Sequence, residues 1–67
     1  MLIYNHNETM IKDYQFIRFM DSYYIHIEIN KYSIIIKGED FEIEYLDNND
    51  IMIKGKIRVI ECHETRV

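Results

Sequence analysis

Proline, tryptophan and alanine are absent from this chain of 67 residues, which holds only 2 Gly and 1 Cys. Each scarcity excludes something. Without Ala the strongest helix former is missing, which argues against a helical bundle. Two glycines leave no room for a glycine-rich phosphate loop or a dinucleotide fingerprint. One Cys cannot close an internal disulfide and fits a reducing compartment. No apolar run approaches the ~20 residues of a membrane-spanning helix, and residues 1–9 lack the basic start and long apolar core of a signal peptide. Positive charge is also short, with 8 Lys plus Arg against 12 Asp plus Glu and a net charge of −4. That balance argues against general binding to nucleic acid or anionic membrane, which needs a clustered positive field. The length allows a single domain over residues 1–67, and a chain of this size hides only ~60% of its unfolded surface. A large enclosed active site is not expected in the monomer.

What is present is β-forming. Hydrophobic residues make up 48% of the chain, dominated by Ile, with 6 Tyr. Branched and aromatic side chains lose rotamer freedom on a helix and suit a pleated surface. From Tyr23 onward they recur with period two. Ile25, Ile27 and Ile29 alternate with His26, Glu28 and Asn30, and Ile34 and Ile36 with Ile35 and Lys37. Phe41, Ile43 and Tyr45 alternate with Glu42 and Glu44; Ile51 and Ile53 with Met52 and Lys54; Ile57 and Val59 with Lys56 and Arg58. Strict alternation predicts half-buried strands, and hence an all-β fold: an antiparallel β-meander over residues 23–61, as a small sheet, roll or sandwich with one apolar face.

Turn chemistry proposes the register. A two-residue loop at Asn30-Lys31 sets Ile29 opposite Tyr32, Ile27 opposite Ile34 and Ile25 opposite Ile36. A second loop at Glu39-Asp40, beside Gly38, sets Ile36 opposite Ile43 and Lys37 opposite Glu42. A three-residue loop at residues 48–50 sets Tyr45 opposite Ile53, Phe41 opposite Ile57, Glu42 opposite Lys56 and Glu44 opposite Lys54. All three hairpins place apolar residues on one face, as register demands. The predicted apolar and interface residues are Ile25, Ile27, Ile34, Ile36, Phe41, Ile43, Tyr45, Ile53 and Ile57. The run Ile34-Ile35-Ile36-Lys37-Gly38 recurs as Ile51-Met52-Ile53-Lys54-Gly55. Gly38 is expected at a turn, and Gly55, inside its strand, at a bulge or sharp bend. Residues 1–22 are irregular by pattern: Asn5-His6-Asn7 and Asp21-Ser22 read as turns, and Phe16 to Met20 as part of a hairpin packed across the meander.

A sheet with one face of Ile, Phe and Tyr needs a cover, because each such side chain contributes ~1.5–3 kcal/mol when buried. The N-terminal segment is short for that task, and the end strands have no Pro to blunt them. Self-association is therefore expected.

Chemistry-bearing residues are few. His6, His26 and His63 and the single Cys62 lack the paired spacing of structural zinc, and neighbours such as Cys62 and His63 point to opposite faces of a strand. Asp47-Asn48-Asn49-Asp50 has the residues of a turn and lacks the distal Glu of a calcium loop. No catalytic, cofactor or metal site is expected. The stripe Lys54, Lys56, Arg58 beside exposed Tyr side chains is the one feature suited to single-stranded nucleic acid, and neighbouring Glu42 and Glu44 oppose its field.

Two stretches of the meander carry a resemblance. Tyr32-Ser33-Ile34-Ile35-Ile36-Lys37-Gly38-Glu39-Asp40-Phe41-Glu42-Ile43-Glu44-Tyr45-Leu46 is followed after a short polar loop by Asp50-Ile51-Met52-Ile53-Lys54-Gly55-Lys56-Ile57-Arg58-Val59-Ile60-Glu61. This pattern resembles the YabP/YqfC family of bacterial sporulation proteins, nearer to its YqfC-like members, from about Asp21 to Cys62; the first 20 residues do not visibly match. The resemblance implies a small protein of endospore-forming bacteria, made during sporulation and needed for spore envelope maturation. It also implies a membrane-protein partner, a cytoplasmic location peripheral to the forespore envelope, and no catalytic residues.

Overall fold

The computed structural model describes residues 1–65, which are all-β with no helix. Six antiparallel strands, β1 (Leu2–Tyr4), β2 (Glu8–Lys12), β3 (Phe16–Met20), β4 (Tyr24–Ile29), β5 (Tyr32–Leu46) and β6 (Asp50–Glu64), form one sheet in the order β1-β2-β6-β5-β4-β3. The sheet is not closed into a barrel: β1 and β3 do not pair with each other. Strands β5 and β6 are 15 residues each. A straight strand of that length would reach ~50 Å, yet the longest dimension of the molecule is 32 Å. Both strands therefore bend.

The bend comes from three register shifts in the β5–β6 ladder. Arg58 is the extra residue between the pairs Lys37↔Val59 and Gly38↔Ile57. Asp40 and Phe41 together oppose Gly55, and Glu44 is extra between Ile43↔Ile53 and Tyr45↔Met52. Bulges of this kind sharpen twist and turn a strand without ending it. Asp40 takes the left-handed conformation with φ 57°, and Gly55 has φ 149°. The expected hairpin at Glu39-Asp40 is thus a bulge within β5, and Gly38 lies inside that strand rather than at a turn. The meander has three strands where four were read.

Folding at this bend covers the apolar face with the other half of the same sheet. Residues 32–37 of β5 and 59–64 of β6 join β4 and β3 in one half. Residues 42–46 of β5 and 50–54 of β6 join β2 and β1 in the other. Ile25, Ile27, Ile29, Ile34 and Ile36 from the first half form one core with Ile11, Ile51 and Ile53 from the second, and Phe41 sits at the bend between them. The need for an external cover, argued from sequence, is met internally by the β1–β2 hairpin and the distal part of β5–β6.

The two halves repeat one design. Ile34 and Ile36 pair with Ile27 and Ile25 of β4, as Ile51 and Ile53 pair with Ile11 and Thr9 of β2. The Gly38 N–H donates to the Tyr23 carbonyl and the Gly55 N–H to the Asn7 carbonyl. Asp21 Oδ1 accepts from the N–H groups of Tyr23 and Tyr24, and Asn5 Oδ1 accepts from those of Asn7 and Glu8. The five-residue repeat is the central piece of a pseudo-two-fold arrangement that reaches into residues 1–22. Those residues do not form one hairpin. Asp13, with φ 60°, begins the crossing from β2 on one half to β3 on the other.

The register at Asn30-Lys31 is as read, with Ile25↔Ile36, Ile27↔Ile34 and Ile29↔Tyr32. Beyond the bend the bulges displace it. Ile36 lies opposite Ile60, Glu42 opposite Lys54, and Ile43, rather than Tyr45, opposite Ile53.

Candidate interaction surfaces

Of the nine residues read as apolar face and interface, Ile25, Ile27, Ile34, Ile36, Phe41 and Ile53 are buried, and Ile57 is half-buried. Ile43 and Tyr45 stand apart, 46% and 51% exposed. Residues 42–46 of β5 pair only with β6, because the β4 ladder stops at Lys37, so Ile43 has a neighbouring strand on one side only. Tyr45 is carried to the outer face by the Glu44 bulge, beside Met52.

That flip builds a surface that alternation alone did not reveal. Cross-strand partners share a face. The pairs Ile3↔Met10, Met10↔Met52 and Tyr45↔Met52 therefore run an apolar row across the outside of one half. On the outside of the other half, Phe16, Phe19 and Val59 are exposed, and Phe19 meets Tyr24 edge to face with ring centroids 5.7 Å apart. Arg18, the bulged residue of β3, pairs with Glu28 and lies 4.9 Å from the centre of the Phe16 ring. His26 sits in this outer row between Phe19 and Ile35, its Nε2 buried without a hydrogen-bond partner.

Four strand edges are unpaired among the described residues. Edge β1 has three residues; β3 is interrupted at Arg18; residues 42–46 of β5 are interrupted at Glu44. The fourth, the distal part of β6, runs in unbroken register from Val59 to Glu64. Beside it lies a cleft of ≈ 380 Å³ lined by Tyr4, Asn5, His6, Ile57, Arg58 and Ile60. Pseudo-symmetry explains the cleft. The Phe41 N–H donates to the Ser22 carbonyl as the Ile57 N–H does to the His6 carbonyl. The Phe41 ring fills its half of the bend, while the smaller Ile57 leaves its own half open.

Ion pairs follow the displaced register. Lys37 reaches Glu61 at 3.0 Å and Arg58 reaches Glu39 at 2.7 Å. Lys54 stands between Glu8 and Glu42, and Lys56 opposite Glu39. The basic stripe Lys54, Lys56, Arg58 thus has a carboxylate beside each cation. The three histidines are dispersed over the β1–β2 turn, β4 and β6. Among the described residues no three His, Cys, Asp or Glu side chains are grouped to hold a metal. The loop read as a turn at Asp47 is one: Asp47 Oδ1 accepts from the N–H groups of Asn49 and Asp50 at 2.8 and 2.6 Å, and the Tyr45 hydroxyl donates to Oδ2 at 2.6 Å.

These contacts set a pH dependence. The Arg58 guanidinium holds the Glu39 carboxyl below its ordinary value, the Tyr45 hydroxyl does so for Asp47, and Lys37 for Glu61. Glu61 in turn raises Lys37. A carboxyl with a depressed folded value adds stability above the unfolded value, which is lost as pH falls through the folded one. The raised lysine adds stability below its unfolded value, lost as pH rises through the folded one. The urea midpoint should therefore be highest from about pH 5 to 9 and fall on acidification below ~4 and in strong base. Lys37 and Asp47 are exposed and Glu39 and Glu61 half-buried at the surface, so the changes will be small. A midpoint that rises on acidification through the carboxylate range would show that these pairs do not form.

A folded-over antiparallel sheet with a closed core, exposed apolar rows and open edges defines a small all-β protein. The YabP family model matches residues 1–67, and the chain belongs to that family. The match takes in the first 20 residues, which by eye carried no resemblance, in line with the part β1 to β3 play in the sheet. Membership makes this a sporulation-associated protein. No curated protein and no solved structure matches the chain at a significant level. No helix of the described residues is long and apolar enough to cross a membrane.

Proposed function

We propose that this chain acts in spore envelope maturation as a non-enzymatic, self-associating protein-interaction module, working on the cytoplasmic side of the forespore envelope with a membrane-protein partner. The observation that carries this reading is the exposure of Phe16, Phe19, Tyr45 and Val59 on a chain whose core is already complete. Apolar side chains left outside a closed core, grouped by register, are what protein contacts use. The family supplies the sporulation setting.

Sedimentation velocity of the purified protein across the micromolar range tests the physical half. Concentration-dependent species larger than 8.3 kDa are expected, and a folded monomer at high micromolar concentration would sink self-association. Deletion of the gene should lower the yield of mature spores, and an undiminished yield would remove the biological half.

A further inference from the structure

We propose that the outer face of the half that holds β1 and β2 docks a basic segment of a partner protein, with a Lys or Arg side chain seated beside Glu8. This rests on the interaction-module reading above and names the chemistry that one of its surfaces recognises.

Register builds the face. Beside the apolar row Ile3, Met10, Met52 and Tyr45 runs a second row, in which Lys54 stands between Glu8 and Glu42. The strand neighbours Thr9, Ile11, Ile51 and Ile53 are buried in the core, so both rows look outward. Ile3 and Tyr45 are half exposed. A hollow of ≈ 230 Å³ lies at the β1 end of the apolar row. Its lining includes Ile3, Met10 and Met52, and Glu8 is its only charged residue.

Charge selects the occupant. Residues 1–12 and 42–54 carry five acidic side chains and two basic ones, so three of the chain's four net negative charges lie here. Lys12 faces Asp50, and Asp47 holds its own turn and the Tyr45 hydroxyl. Glu8, Glu42 and Glu44 remain, all exposed, with Lys54 as the one cation beside them. Among the described residues none of these four makes an ion pair. The outer face of the other half differs: Arg18 is paired with Glu28 and Lys37 with Glu61, so its charges balance.

A second copy is poorly equipped to answer three carboxylates. Its Arg18, Lys37 and Arg58 are paired, and its Lys12, Lys54 and Lys56 each stand opposite a carboxylate. Lys31 alone is left over among the described residues. Nucleic acid and anionic lipid would be repelled. A protein segment with surplus Lys or Arg meets the demand, and its side chains suit the hollow. Their methylene stems bury on apolar surface while the charged head reaches outward. Here the stem would lie on Ile3, Met10 and Met52 and the head at the Glu8 carboxylate. Glu42 lies two strands from Glu8, ~10 Å away, within reach of a second cation on the same segment. Flexible methionines adapt such a floor to its guest, and an apolar patch rimmed by charge is a usual form of contact surface.

Fluorescence anisotropy of a short labelled peptide of alternating Lys and Thr tests the face, with its Glu-for-Lys counterpart as the control. The lysine peptide should bind, more weakly as salt is added, and the glutamate peptide should not. Glu8→Gln should weaken binding about fivefold, and adding Glu42→Gln should bring the loss to about tenfold. Ile3→Ser should weaken it about fivefold at any salt, because the stem loses apolar surface. Glu64→Gln makes the same change of charge at an exposed position of the other half and should leave binding as it was. If it weakens binding as much as Glu8→Gln, the attraction is general to an acidic chain and the face is overturned. A wild-type chain that ignores the lysine peptide overturns it too. Sedimentation velocity on the same samples separates this from the reading beneath. A chain that self-associates yet ignores the peptide keeps the interaction module and loses this face, and a chain that does neither loses both.

Discussion

Gly38→Ala should cost about 3 kcal/mol or more of folding free energy, a large share of the ~3–10 kcal/mol available to a domain of this length. Gly38 sits where β5 and β6 approach at the bend. A Cβ there would overlap the carbonyl oxygen of Lys56 and stand 2.7 Å from Cζ of Phe41 and 3.0 Å from the Lys56 carbonyl carbon. The Phe41 ring can shift by a rotamer. The Lys56 carbonyl is backbone and moves only if the two strands part, at the one place where both halves of the sheet are joined. Urea denaturation followed by far-UV circular dichroism would show a much lower midpoint or a chain unfolded at the outset. An unchanged midpoint would mean that the strands do not close over Gly38.

Phe41→Ala should cost about 3–5 kcal/mol, the range for deleting a buried aromatic ring. Phe41 is only 6% exposed and occupies the bulge between the two glycines, its Cδ1 at 2.6 Å from the position of a Cβ on Gly55. Its counterpart in the opposite half, Ile57, faces the cleft. The vacated space would lie at the hinge of the sheet, where both strands are constrained and collapse is limited. Phe41→Leu should recover part of the loss. The double variant Gly38→Ala with Phe41→Ala should fall short of the sum of the two single effects. Removing the ring relieves one of the two overlaps at Gly38 and leaves the Lys56 carbonyl. Full additivity would show that the ring and Gly38 do not touch.

Much of the architecture was legible before any coordinates. Alternation marked the β residues from Tyr24 onward but divided β5 into two strands, and the Asn30-Lys31 hairpin was read in its true register because a two-residue loop leaves no freedom in pairing. The second hairpin was misread for a physical reason. Gly38, Glu39 and Asp40 have the chemistry of a turn, and the same left-handed conformation at Asp40 serves equally a reversal or a bulge. Local sequence cannot choose between them. The choice lies in long-range pairing: running straight through lets residues 32–37 meet residues 59–64, which a reversal would forbid. From that one difference the displaced ion pairs follow, as does the exposure of Ile43 and Tyr45. The repeat around the two glycines was visible as five residues. Its extension to Asn5 and Asp21 was not, because different residues, Asn and Asp, make the same turn with the same side-chain oxygen.

The candidate surfaces were less legible than the core. A bulge shifts every later side chain to the other face, and the bulges at Arg18, Arg58 and Glu44 leave no distinctive mark in the sequence. The row Ile3, Met10, Met52 and Tyr45 gathers residues far apart in the chain.

By itself the sequence determined the class of the protein. Its want of Ala and Pro, its period of two and its wealth of Ile dictate antiparallel strands with one apolar face, because a pleated strand presents alternate side chains to opposite sides. It also carried the family pattern. Only the tertiary structure decided what covers that face. Covering is a matter of area rather than period, and the bend at Gly38, Phe41 and Gly55 turns one half of the sheet over the other. The hydrophobic face that demanded a partner is spent on the chain's own core. What remains for another protein is set by the bulges and by which strand edges the fold leaves unpaired.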